Sequence, residues 1–236
     1  YLVGHWRIFQ RLGRHRYSTD DLVTTWIACK ETTKLGYATP RMLDIGCGLG
    51  SVLLMNAWQL PNATCLGIEA QEDRCSLALR SIEYNVGVYP SEQQRIRVFN
   101  GDLRDTSNAL TSFLYHDTSI TGFDIITGTP PYFPPGQGAA PSCGESNGCL
   151  FELRGGVEAY CDAAARYLRQ PTDTPSENPS IFVLCNTALA SARVYSGCMH
   201  SGLSVIRRID VIPRDGKPPL FCVFVVVADA WLVKYP

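Results

Sequence analysis

The nine residues from Met42 to Gly50, Met-Leu-Asp-Ile-Gly-Cys-Gly-Leu-Gly, constrain this chain more than any other stretch. Met42, Leu43 and Ile45 make a short apolar run of the kind that fills a buried strand. Three glycines follow at alternate positions, ahead of a helical pattern over Ser51 to Leu60. Glycine at 46, 48 and 50 frees the backbone to turn sharply and lets a ligand come close without meeting a Cβ atom. Strand, glycine turn and helix in that order form a nucleotide-binding corner of an α/β protein. The same pattern also builds a plain strand-to-helix turn, so the segments after it decide between the two.

Those segments repeat the alternation. Thr64 to Ile68 reads as a second strand and ends at Glu69, ~20 residues beyond the glycines, where a carboxylate is placed to hold the hydroxyls of a ribose. A carboxylate serving the following helix N-terminus is the other reading of Glu69. Glu72 to Val86 is an amphipathic helix, and Arg95 to Phe99 a third strand running into Asn100-Gly101-Asp102. Asp102 is a candidate acceptor for an exocyclic amine such as that of adenine. Phe123 to Thr127 is a fourth, wholly apolar strand that ends in Gly128-Thr129-Pro130-Pro131-Tyr132-Phe133-Pro134-Pro135. Proline there stiffens the backbone. It projects Tyr132 and the Pro130 carbonyl in a fixed direction, toward a planar, amine-bearing substrate or simply along a rigid crossover.

From 136 to 148 the chain is glycine, serine, alanine and proline with few core-forming residues, a lid over a site or a surface excursion. A helix over Leu153 to Leu168, a strand over Ser180 to Cys185, a helix over Ala188 to Ser201 and two strands, Val205 to Ile212 and Leu220 to Ala228, complete the pattern. The expected fold is α/β: a doubly wound, mostly parallel seven-stranded sheet with an antiparallel last strand. Residues 41–236 form the domain, and 1–40 a basic and helical extension. Within that extension Ser18 and Asp21 match a capping box for a helix over Leu22 to Lys30.

The extension also carries Arg7, Arg11, Arg14 and Arg16 among Trp6, Phe9 and Tyr17. Two readings stand: phosphate contact with base stacking, as on RNA, or a surface segment whose aromatics dock on the core. Lysine and arginine total 21 against 22 acidic residues, so no global field attracts a polyanion, and nucleic-acid contact must rest on such local patches. Of the ten cysteines, Cys29, Cys47, Cys65, Cys75, Cys161, Cys185 and Cys222 sit in apolar segments as small core residues. Cys143 and Cys149, in the glycine-rich stretch, lack the second pair that a zinc site needs, and no metal is expected. With no signal-peptide pattern and no apolar run of membrane-spanning length, a reducing compartment such as the cytoplasm is the default and no membrane partner is expected.

Leu43 to Gly50, Gly67-Ile68-Glu69, Gly101-Asp102 and Thr129-Pro130-Pro131-Tyr132 occur in an order and spacing that resembles the class I S-adenosylmethionine-dependent methyltransferases. Within that class the chain is most similar to the bacterial tRNA (adenine-N6)-methyltransferase group that modifies adenosine 37 of a valine tRNA. Ser18-Thr19-Asp20-Asp21-Leu22 stands where that group has Gly-Thr-Asp-x-x-Leu, Pro130 to Phe133 matches its Pro-Pro-Tyr-Phe, and Arg214 to Phe221 resembles its C-terminal stretch. The resemblance implies S-adenosyl-L-methionine as methyl donor. Gly46, Gly48 and Gly50 then line its methionine part with Asp44 nearby, Glu69 takes the ribose, Asp102 the adenine amine, and Thr129, Pro130, Pro131 and Tyr132 hold the acceptor. Thr129 is a departure, because amino-methylating members have Asn or Asp there. Three functions follow: N-methylation of an RNA adenine, N-methylation of a protein glutamine as in the release-factor methylases that share Pro-Pro-Tyr, or donor binding without transfer.

Overall fold

The computed structural model describes residues 1–13, 16–87, 95–116, 121–132, 152, 155–171 and 178–233. Helix α1 (Thr19–Lys34) precedes an alternation of β1 (Arg41–Ile45), α2 (Ser51–Gln59), β2 (Thr64–Glu69), α3 (Glu72–Val86) and β3 (Ile96–Asn100). Then come α4 (Ala109–His116), β4 (Ile125–Gly128), α5 (Val157–Tyr167), β5 (Ile181–Thr187), α6 (Ser191–His200), β6 (Leu203–Val211) and β7 (Phe221–Ala228). The seven strands lie in the order β3-β2-β1-β4-β5-β7-β6. Pairings are parallel from β3 through β5, and β7 runs antiparallel to both its neighbours. This is the doubly wound sheet that the alternation of apolar runs and helices predicts.

The last hairpin differs in one respect from a simple edge addition. β7 inserts between β5 and β6, so the antiparallel strand is interior and β6 forms the edge. The sequence of β7, Phe-Cys-Val-Phe-Val-Val-Val-Ala, is buried at all eight positions, as a strand covered on both faces requires. β6 is mostly half-buried or exposed, with Arg207 reaching the buried Glu31 of α1 and Arg208 pairing with Asp210, as suits an edge.

Helix α1 is longer than the periodicity of Leu22 to Lys30 indicates. Ser18 is its N-cap, and the Ser18 N–H donates to Asp21 Oδ2 at 3.1 Å. Helix α4 has no counterpart in the sequence reading; it starts after Asn108, whose Oδ1 accepts from Thr111 N at 2.9 Å, and buries only Leu110. With so little of its surface in the core, its hydrophobic periodicity is a weak signal. No helix among the described residues is long and apolar enough to cross a membrane.

Register brings the carboxyl ends of four strands to one rim. Ile45 pairs with Ile68 on one side and with Gly128 on the other, while Glu69 pairs with Asn100. Between β1 and β4 the strand order reverses, and the crevice above that point is where open α/β sheets take ligands.

Candidate active site

The rim opens on a cleft of about 120 Å³. Its floor is the glycine turn after β1. Gly46, Gly48 and Gly50 all have positive φ, of 67°, 57° and 82°. At Gly46 a Cβ would stand 2.0 Å from the Tyr160 hydroxyl oxygen, so glycine is required both for the backbone and for the close approach of α5. Tyr160 lines the cleft, a role that its place in an amphipathic helix does not announce.

Glu69 ties the turn to the second strand. It is buried, Gly48 N donates to its Oε2 at 2.9 Å, and Gln71 N donates to its Oε1 at 2.7 Å. Each carboxylate oxygen carries two lone pairs. Both oxygens are thus oriented by backbone while the side chain still faces the cleft. Asn100 Nδ2 and Gly101 N donate to the Glu69 carbonyl at 2.9 and 3.0 Å, so β3 positions the same residue from the other side.

Asp44 lies beneath the turn, 4% exposed, and its Oδ1 accepts from Thr127 Oγ1 at 2.8 Å. Burial pushes its carboxyl up to about 7, the Thr127 bond opposes this, and the charges of Asp21 and Glu69 add to it. Asp21 lines the cleft itself. The sequence reading used it only as a cap, which it also is. Burial and the neighbouring Asp20 raise its carboxyl to about 7, against hydrogen bonds from Ser18 and Ser51.

Asp102 lines the cleft and is clamped by Arg104. Its Oδ1 accepts from Arg104 N and Nε, both at 2.9 Å, and its Oδ2 from Nη2 at 2.6 Å. Thr129 and Pro131 face the cleft from the end of β4, while Pro130 is buried. Tyr132 is not among the lining residues; its hydroxyl donates to Asp20 Oδ2 and lies 3.7 Å from Cys185 Sγ. Burial holds that phenol protonated, far above the usual tyrosine range. Phe133 and the 136–148 segment, with Cys143 and Cys149, lie outside the described residues.

In the N-terminal segment the aromatic residues pack inward. Trp6 is buried, Phe9 makes an edge contact with Tyr84, and Phe9 N donates to Ser81 Oγ at 3.0 Å. Arg7 stacks over Tyr1 and Tyr84, and Arg11 pairs with Asp73 at 3.6 Å. Arg16 and Tyr17 reach the cleft, joined there by Arg74 of α3. Arg14 lies outside the described residues.

The fold, the glycine turn after β1 and the buried acid at the tip of β2 form a combination for which comparison with known proteins finds likenesses among methyltransferases. Residues 38–121 match the family described as "Putative methyltransferase". Over 110 residues the chain is 27% identical to a release factor glutamine methyltransferase of Geobacter sulfurreducens, covering 47% of this chain and 32% of that protein. The chain thus spans about a third of the length of the curated relative it matches. Among solved structures, a predicted O-methyltransferase from Agrobacterium tumefaciens superposes with a TM-score of 0.59 at 16% identity, over 86% of this chain and 79% of that one. A putative RNA methyltransferase from Pyrococcus horikoshii gives 0.57 at 14% identity, over 95% and 93%. These two likenesses concern the fold.

Proposed function

We propose that the protein transfers a methyl group from S-adenosyl-L-methionine to an exocyclic amine of an RNA adenine. The observation that carries the donor half is the Gly48 N–H to Glu69 Oε2 bond, which fixes a side-chain-free turn beside a buried acid that faces the cleft. The residues suit the donor: Glu69 for the ribose hydroxyls, the turn at Gly46 to Gly50 and Asp44 behind it for the methionine part, and Asp102 at the adenine end. When bound, the donor supplies an electrophilic methyl on a sulfonium.

The chain's own contribution is alignment. Displacement at a methyl carbon needs the nucleophile in line at ~3 Å, and binding both reactants in one cleft supplies most of the advantage. Thr129 and Pro131 form the wall opposite the acid, so they are the groups to orient an incoming amine. Tyr132 follows directly outside the cleft lining, and on this reading its ring turns from the Asp20 contact to stack on a planar base. Arg16 and Arg74 at the cleft, with Arg11 of the N-terminal segment and Arg80 of α3 beside it, offer local phosphate contacts despite the even overall charge. The base must be extruded or already unstacked to enter.

A second reading, transfer to the side-chain amide of a glutamine, is favoured by the release factor methyltransferase match over 110 residues. Both acceptors are planar nitrogens, so the same wall serves either. The deciding experiment offers labelled donor with total RNA, with a release-factor peptide, or alone. N6-methyladenosine after nucleoside digestion supports the first reading; labelled peptide replaces it with the second. Donor binding with no transfer to any acceptor leaves a binding module. Thr129→Asn belongs in the same assay, because asparagine adds a carbonyl acceptor for the amine, and on this reading the rate rises.

A further inference from the structure

Asp44, at the end of β1, is buried beside the glycine turn, and Asp21, on the first turn of α1, is half-buried and faces the cleft. They come from consecutive elements, and the charge of Asp21 reaches Asp44 because α1 packs on the sheet beside α2. Ser51, the first residue of α2 and itself a lining residue, donates to Asp21 from its hydroxyl. The charges acting on Asp44 are those of Asp21 and Glu69, and the charge acting on Asp21 is that of Asp20: all are carboxylates. Burying carboxylates together without a cation is costly. Arginines do enter this cleft, as Arg16 from the N-terminal segment and Arg74 from α3. The remaining titratable groups facing it are Tyr17 from the N-terminal segment, Asp102 after β3 and Tyr160 from α5, with the buried Cys47 thiol in the turn.

We propose that Asp21, backed by Asp44, is the residue by which the cleft distinguishes the cationic sulfonium donor from its neutral thioether product. This rests on the reading of the cleft as a donor site. The donor differs from the product by one methyl group and one positive charge. During transfer the lone pair of the acceptor nitrogen forms the new N–C bond, the C–S bond breaks and its electron pair returns to sulfur. The positive charge passes to nitrogen, which then sheds a proton to solvent. Asp21 pairs with the sulfonium charge before transfer and has no such partner after it. Donor binding therefore draws a proton off the carboxyl pair, and product binding does not. Raised carboxyl values of about 7 for both residues place this exchange near neutral pH.

Calorimetric titration of the whole chain with S-adenosylmethionine and with S-adenosylhomocysteine, between pH 5.5 and 8.5 in buffers of different ionisation heat, tests this. The expected ratio of donor to product affinity rises by up to about tenfold per pH unit below pH 7 and levels off above it. Near pH 6 about one proton is released with the donor and fewer with the product. In Asp21→Asn the ratio becomes independent of pH and is about tenfold lower at pH 8. Asparagine keeps an acceptor for Ser18 N, so helix α1 remains capped. Asp44→Asn, which leaves the cleft lining unchanged, lowers the same ratio by a smaller factor. The pairing favours the bound donor over a transition state in which the charge is already leaving sulfur, so Asp21→Asn raises the donor KM without lowering kcat. Equal pH dependence for donor and product overturns the proposal, because the carboxylate then answers to the ammonium that both carry. Tight donor binding with an unchanged ratio in Asp21→Asn overturns it too and leaves the donor site standing. If neither ligand binds at any pH, the donor site itself fails and the proposal with it.

Discussion

Replacing Glu69 by glutamine tests the donor site at its most constrained point. In the native chain one carboxylate oxygen takes the Gly48 N–H at 2.9 Å and the other takes the Gln71 N–H at 2.7 Å. An amide has one acceptor oxygen and one donor nitrogen, so whichever way it turns, its NH2 faces a backbone N–H. One buried donor is left without its acceptor, at a cost of about 1–3 kcal/mol. On the ribose side one charge-assisted bond becomes neutral and another is lost, about 1.5–3 kcal/mol. If half of the first cost appears in binding through a loosened turn, the donor loses roughly 3 kcal/mol, or ~100-fold in affinity. Asp44 offsets part of the stability loss, since its carboxyl is pushed up by the Glu69 charge and ionises more easily without it. Equilibrium binding by calorimetry, with thermal unfolding alongside, reads both quantities. A Glu69→Gln protein that binds S-adenosylmethionine within threefold of the native chain refutes the ribose assignment and the argument built on it.

Gly46→Ala is expected to lose several kcal/mol of stability, because its φ of 67° disfavours any Cβ and the new carbon meets the Tyr160 hydroxyl at 2.0 Å; denaturant titration measures it, and an unchanged midpoint contradicts the described turn. Tyr132→Ala should spare donor binding and abolish transfer, while Tyr132→Phe keeps the ring, retains transfer and loses about 1 kcal/mol with the bond to Asp20; intact turnover in the alanine variant removes Tyr132 from the acceptor site. Asp44 carries a pH prediction. Its folded carboxyl sits at about 7 against an ordinary value of 3.8, so the folded state holds a proton that the unfolded state has released between those values. Its contribution is complete below about pH 4 and is lost as pH rises to about 7, by at most about 4 kcal/mol. Asp44→Asn therefore flattens this part of the profile, and chemical denaturation at pH 5 and pH 8 should show the variant gaining on the native chain at the higher pH.

Much of this molecule was readable before any coordinates. Apolar runs such as Phe123 to Thr127 and Leu220 to Ala228 can only be satisfied inside a sheet, and glycine at alternate positions after Ile45 specifies a turn that tolerates nothing larger. Glu69 could be picked out because its rank at the second strand tip is a chain-order property. Asp21 was legible only as a cap: a capping acid and a cleft acid have the same local sequence, and which one it is depends on how α1 lies against α2. Tyr160 gave no signal, since a half-apolar residue in an amphipathic helix has a sufficient role in packing. Helix α4 went unseen because it buries one residue, and the insertion of β7 between β5 and β6 was open because both arrangements of a hairpin leave the same pattern.

Alternation of side-chain character along the chain determined the strands, the helices and the glycine turn, since those depend on periods of two and 3.6 that are written locally. Only the tertiary structure decided that Asp21, Asp44 and Glu69 gather around one turn, that Arg104 clamps Asp102, and that the Tyr132 hydroxyl is held by Asp20. Such juxtapositions join residues separated by tens of positions, and their energies arise from burial and distance, quantities that a sequence does not contain until it is folded.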